Sequence, residues 1–129
     1  MRPARMIKKM ILGIGIDMIE IPRIEKACGK DAFLKRCYTD AEIRITQRNP
    51  ASLAGNFAVK EAVSKVFGTG FRGFGLRDIE VLRDDLGRPW VRLYGGALEQ
   101  AERMGISRFH VSITNTKEMA AAVAVGEGG

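Results

Sequence analysis

Every residue from Met10 to Ile16 is apolar or glycine, and the run breaks at Asp17. A short unbroken apolar stretch carrying β-branched Ile predicts a central strand over 10–18, ending near that aspartate. Pro22 stands where a first helical residue would, and Gly29 lies just past the end of a short helix running to about Ala27. Asp31 is placed to cap a further short helical stretch, DAFLKRCY. Thr39, followed three residues later by Glu42, is a capping-box pattern that opens a third helix. Asn49-Pro50 opens the longest helix, which runs to Phe67 and stops at Gly68. After a loop containing Gly68, Gly70, Gly73 and Gly75, Asp78–Arg83 and Trp90–Leu93 read as strands joined by a turn over 84–89. Ala97–Met104 reads as a helix ended by Gly105. Phe109, Val111 and Ile113 then alternate with His110, Ser112 and Thr114 at the period of a half-buried strand. Residues 119–125, MAAAVAV, close the sheet, and Glu127-Gly-Gly is a tail. Strands and helices in this mixed order predict an α+β single domain, a largely antiparallel sheet packed on one long buried helix plus short helices.

The long helix is the most informative segment. Plotted at about 100° per residue, residues 53–67 leave no wide polar face, because Leu53, Ala54, Phe57, Ala58, Val59, Ala62, Val63, Val66 and Phe67 surround the axis. Such a helix is buried on most sides. Glu61 and Lys65 nevertheless lie side by side on its apolar wall. A Glu–Lys pair at this spacing is commonly a solvated surface pair; on a helix buried this far, each charge needs a partner or a metal. Asp17 poses the same choice: it either caps the helix that begins at Pro22 or stands beside Glu61. Two carboxylates without a His or Cys cluster are hard oxygen ligands, suited to Mg2+, which keeps several waters and takes its remaining ligands from phosphates.

Composition narrows the field further. With 129 residues, 46% hydrophobic and 28% charged, the chain is long enough for one core and is neither disordered nor collagenous. The formal charge is +6, but Arg2, Arg5, Lys8 and Lys9 supply four of those charges. The domain therefore spans 10–126, and residues 1–9 form a basic arm that need not be native to it. Arg23, Lys26 and Lys30 fall in one arc of the helix after Pro22, either as a solvated face or as a docking surface for an acidic protein or nucleic acid. Cys28 and Cys37 match no redox or zinc spacing and read as reduced thiols of a cytosolic protein. The longest apolar run is seven residues, too short to cross a bilayer. Gly13-Ile-Gly15 lacks the third glycine of a dinucleotide fingerprint, and the 68–75 loop follows a helix instead of opening one, which excludes a P-loop. His110, the lone histidine, is either a structural residue or a ligand.

Gly13-Ile-Gly-Ile-Asp17-Met-Ile-Glu-Ile21 and Phe57-Ala-Val-Lys60-Glu61-Ala-Val-Ser-Lys65-Val-Phe-Gly-Thr-Gly70 resemble the two signature motifs of the holo-acyl-carrier-protein synthases, the short 4′-phosphopantetheinyl transferases. The similarity continues through Asp78-Ile-Glu-Val81, the Leu-Gly-Arg-Pro turn at 86–89 and His110-Val-Ser-Ile113, and covers about residues 11–125. The resemblance implies the 4′-phosphopantetheinyl transferase fold. It also implies a cytoplasmic, Mg2+-dependent enzyme of fatty acid biosynthesis that moves phosphopantetheine from coenzyme A to a serine of apo acyl carrier protein. The expected state is a homotrimer with coenzyme A bound between neighbours, touching neither nucleic acid nor membrane.

Carried over by motif, Asp17 and Glu61 are the metal-binding carboxylates, and with Lys65 they form the catalytic group. Lys60, Lys65, Gly68, Thr69, Gly70 and His110 are coenzyme A contacts. Arg23, with Lys26 and Lys30, receives the acidic carrier. Glu61, directly or through a bound water, is the candidate base for the serine proton. One departure stands out: many relatives have Arg at the position of Asn56, where it can meet the coenzyme's 3′-phosphate, so weaker binding or a substitute cation such as Arg48 or Arg72 would follow. The rival reading is a non-enzymatic basic module for nucleic acid or an acidic protein, resting on the arm at 2–9 and the stripe at 23–30.

Overall fold

The computed structural model describes residues 9–129, so the arm expected over residues 1–9 lies almost wholly outside it. Five strands and five helices follow in the order β1 (Met10–Glu20), α1 (Ile21–Cys28), α2 (Asp31–Cys37), α3 (Asp40–Thr46), α4 (Pro50–Phe67), β2 (Ile79–Arg83), β3 (Pro89–Leu93), α5 (Gly95–Met104), β4 (Ile106–Asn115) and β5 (Met119–Gly128). The fold class is the expected α+β single domain. The antiparallel strands divide into two sheets, a three-stranded one in the order β1-β5-β4 and a β2-β3 hairpin.

The punctuation residues act as their chemistry dictates. At α3 the capping box is complete: Glu42 N donates to Thr39 Oγ1 at 3.2 Å, and Thr39 N donates to Glu42 Oε1 at 3.1 Å. At α4, Asn49 Oδ1 accepts from Ser52 N at 3.0 Å, Pro50 fills the first turn, and Gly68 ends the helix with φ 77°. Asp31 is the first residue of α2 and caps nothing; Lys30 holds the cap position without a side-chain bond.

Helix α4 lies across the three-stranded sheet and is buried along most of its length. Its contact with β1 is close because β1 presents glycines to it. A Cβ on Gly13 would stand 2.9 Å from the Val66 carbonyl oxygen, and one on Gly15 would overlap the Ala62 carbonyl oxygen. Two residues further along the same face comes Asp17. The core divides into a cluster joining α4 to β2, β4, β5 and α5, and a second joining α1, α2 and the first turns of α4.

Three strand expectations need correction. Strand β1 is an edge strand, and Ile14, Ile16 and Met18 point away from α4 at 65–67% exposure. The Ala-rich β5 occupies the centre, and its small inward side chains, Ala122 and Ala124, pack in the core with α4. Glu127 and Gly128 are not a tail, since they pair with Ile11 and Met10 on one side and with Arg108 and Ile106 on the other.

Candidate functional site

The glycine-lined approach of β1 to α4 sets the position of Asp17. Lys65, one helical turn after Glu61 on α4, donates from Nζ to the Ile16 carbonyl at 2.8 Å and pairs with Asp17 Oδ1 at 3.3 Å. Asp17 and Glu61 line one cleft of about 550 Å³, together with Ile19, Arg23, Phe33 and Phe57. Of the two readings open for Glu61 and Lys65, the solvated surface pair does not describe this arrangement: Lys65 is turned to β1. The Glu61 carboxyl has no hydrogen bond from any described residue. Burial, and then the negative charge of Asp17, push its pKa above the usual carboxylate range, with Lys65 opposing. Its ionisation therefore works against folding as pH rises through the carboxylate range. Glu61→Gln is expected to raise Tm by a few degrees at neutral pH without metal; an unchanged or lower Tm, read by calorimetry, would remove the argument that burial and the Asp17 charge penalise the ionised carboxyl.

The donor set fits a magnesium ion. It comprises two carboxylates in a partly open cleft, and no group of three or more His, Cys, Asp or Glu residues among the described residues could form a closed protein cage. Water and phosphate oxygens would complete the shell.

A basic groove of about 490 Å³ adjoins this cleft. Arg23, Lys26 and Lys30 of the α1 segment form one wall and Arg36 of α2 the other, over Ala27 and Phe33. Arg23, Ala27 and Phe33 line both the groove and the carboxylate cleft, so the two are continuous. Arg36, whose guanidinium lies 5.8 Å from the Phe33 ring centroid, was not foreseen from sequence; its spacing of three from Phe33 on one helix was the available signal.

Lys60 is not where the motif reading puts it. It is fully buried, and its ammonium donates to Glu42 Oε1 at 2.7 Å, to the Leu76 carbonyl at 3.0 Å and to the Ile79 carbonyl. All three protons are taken, and none is left for coenzyme A. Burial pulls the Lys60 pKa down and the Glu42 pKa up, while their pairing draws both back. Gly68, Thr69 and Gly70 form the loop beyond Lys65, with Thr69 exposed. His110 lies on the opposite face of the sheet from Asp17, in the row Ile14–Val125–His110, and its Nε2 is 3.2 Å from Glu127 Oε1. That contact holds the Glu127 carboxyl below its usual range. One chain thus gathers Asp17, Glu61 and Lys65 but leaves His110 apart. No helix among the described residues is long and apolar enough to cross a membrane.

Known proteins resemble this chain in sequence and in fold. A sequence profile of the 4′-phosphopantetheinyl transferase superfamily matches residues 13–124. Holo-[acyl-carrier-protein] synthase of Lachnoclostridium phytofermentans is 53% identical over 118 residues, covering 92% of this chain and 97% of its own. The crystal structure of Helicobacter pylori holo-[acyl-carrier-protein] synthase in complex with coenzyme A aligns with TM-score 0.79 at 33% identity, covering 88% of this chain and 98% of that one. The Bacillus anthracis holo-(acyl-carrier-protein) synthase, also solved with CoA (3′,5′-ADP), aligns with TM-score 0.77 at 37% identity over 93% of this chain and 99% of that one. The profile spans nearly the whole described fold, and the relative is covered over 97% of its length: the chain belongs to the 4′-phosphopantetheinyl transferase superfamily.

Proposed function

We propose that this chain carries out the holo-[acyl-carrier-protein] synthase reaction of fatty acid biosynthesis in the cytoplasm. The 4′-phosphopantetheine arm of coenzyme A passes to a serine of apo acyl carrier protein, and adenosine 3′,5′-bisphosphate leaves. The observation that carries this reading is the continuity of the basic groove with the Asp17–Glu61 cleft through Arg23, Ala27 and Phe33. An acidic carrier held on Arg23, Lys26, Lys30 and Arg36 presents its serine at the carboxylates.

Asp17 and Glu61 would hold Mg2+, which when bound supplies Lewis-acid neutralisation of the pyrophosphate. The Lys65 ammonium, half exposed and anchored on the Ile16 carbonyl, turns from Asp17 to the charge that builds on the leaving phosphate. Glu61 Oε, free of hydrogen bonds to the described residues, accepts the serine proton directly or through an intervening water. Release of adenosine 3′,5′-bisphosphate, followed by chromatography, should require both apo carrier and a divalent metal. Release without carrier, or no release, overturns the reading.

The assembly we propose is a homotrimer with its sites between chains. Ile14, Ile16 and Met18 of an edge strand form an exposed apolar face beside the half-buried Val123 and Val125 of β5, a surface that calls for a second copy. His110 lies on that same face, so a neighbour's His110 can approach a coenzyme whose pyrophosphate sits at Asp17 and Glu61. Ile16→Glu is expected to give a folded single chain by analytical ultracentrifugation, with loading lost. A fully active single chain, variant or not, would contradict the shared site.

A further inference from the structure

Strands β3 and β4 each keep one free edge, since β3 pairs only with β2 and β4 only with β5. The two edges lie beside each other without a hydrogen-bonded ladder between them, and together with α5 they wall a cavity of about 600 Å³. This cavity has no lining residue in common with the cleft of Asp17 and Glu61. Its floor is core left open to solvent: Val91, Leu93, Phe109 and Val111 pack on the core cluster around α4 yet stay partly exposed, beside the buried Ala101 and Ile106. Leu98 of α5, 43% exposed, adds apolar surface to the wall. The rim is basic. A register irregularity between Ile106 and Arg108 puts one extra residue into β4 at the cavity, and both Ser107 and Arg108 stand exposed in its lining. The guanidinium groups of Arg88 and Arg108 have no hydrogen bond or ion pair with any described residue. Asp84 is the one carboxylate in the lining, and its Oδ1 already accepts from Leu86 N at 2.9 Å and Arg88 N at 2.8 Å. Glu127, opposite Arg108 in the ladder, lies 3.2 Å from His110 Nε2 instead.

We propose that this cavity binds a fatty carboxylate, its alkyl chain along the open core between β3 and β4 and its head group on Arg88 and Arg108. The chemistry of the walls selects that class. The floor residues all carry hydrocarbon side chains, which take up a chain that water rejects. A ligand bearing hydroxyls or amides along its length would leave them without partners there. Two arginines with unused donors at the rim call for an anion, and a carboxylate matches the planar fork of a guanidinium. The volume falls in the range of cavities that enclose small ligands. The site uses none of Asp17, Glu61 and Lys65, so this binding and carrier loading are separate properties, and failure of one leaves the other standing.

Trp90 is the only tryptophan of the chain. It lines the cavity, and the Arg92 guanidinium lies 5.1 Å from its ring centroid, so its emission reports the site. Decanoate, titrated below its micelle concentration into the unaltered protein, should shift that emission to the blue and saturate. Acetate, a head group without a chain, should give no shift. Decanol, a chain without a charge, should bind roughly tenfold to a hundredfold more weakly, the range expected for charge-assisted head-group contacts. Arg88→Gln combined with Arg108→Gln should bring the affinity for decanoate down to that for decanol. Leu98→Glu, a carboxylate at an exposed helix position in the wall, should abolish saturable binding while the unfolding curve stays native. Equal affinity for decanoate and decanol overturns the head-group assignment and with it the proposal. Decanoate binding that both variants leave unchanged places the ligand elsewhere and overturns it too, as does the absence of any shift.

Discussion

Asp17→Ala and Glu61→Ala are each expected to lower carrier loading by about a thousandfold or more, while the chain still unfolds cooperatively. The magnitude follows from the reaction. Charge on a pyrophosphate under attack must be neutralised, and losing a metal's several kcal/mol of stabilisation at about 1.4 kcal/mol per tenfold leaves little rate. The fold survives for a separate reason. The Asp17–Lys65 pair has a lysine side chain 53% exposed, and exposed pairs contribute about 1 kcal/mol or less. Glu61 is charged at a cost, so its removal does not weaken the core. The two alanine variants combined should lose hardly more activity than either alone, because in the proposed site both would hold one ion. Full loading by either single variant, measured against an unfolding curve that shows a native fold, would remove that carboxylate from the mechanism.

Lys60→Met is expected to act in the opposite way, on the fold first. The ammonium is enclosed by Glu42 and by the carbonyls of Leu76 and Ile79, and Glu42 in turn accepts from Asn56 and Thr39. Removing the lysine strands a buried carboxylate and two carbonyls, a loss of about 3–5 kcal/mol and a fall in Tm on the order of 10 °C or more. Exchanging both partners, Lys60→Met with Glu42→Leu, should recover part of that loss, since a buried pair replaced by apolar groups of similar size is often neutral. A direct contact between Lys60 and coenzyme A would instead leave Tm unchanged and raise KM in the single variant. That pattern would contradict the structure.

The contrast between Lys60 and its neighbours shows which parts of the fold and site could be read from the chain. Caps were legible because they are local: Thr39 with Glu42, and Asn49-Pro50 with Gly68, act within four residues of themselves. The buried character of α4 was legible because its apolar residues surround the axis, and that made Glu61 and Lys65 stand out. Helical spacing marks a charge as being on a buried helix but not which element supplies its partner. Glu42 lies 18 residues before Lys60 on another helix, so only the fold identifies the pair. The same limit applies to Asn56, whose bond to Arg83 spans 27 positions.

Strand placement failed for a different reason. Residues 10–18 look like a strand buried on both faces because the outward side chains, Ile14, Ile16 and Met18, are as apolar as any core residue. The inward face is built on Gly13 and Gly15, which carry no side chain to show an alternation. The proposed assembly accounts for that pattern, with a second chain covering the outward face. His110 stands outside the Asp17–Glu61 cleft, on the face that the proposed second chain would cover.

The most direct test of the central claim is the intact mass of apo acyl carrier protein after incubation with this chain, coenzyme A and Mg2+. The carrier should gain the mass of one phosphopantetheine arm, with no gain when Asp17 or Glu61 is alanine or when the acceptor serine is absent. A carrier whose mass stays unchanged with the unaltered chain, under Mg2+ or any other divalent metal, would contradict the account.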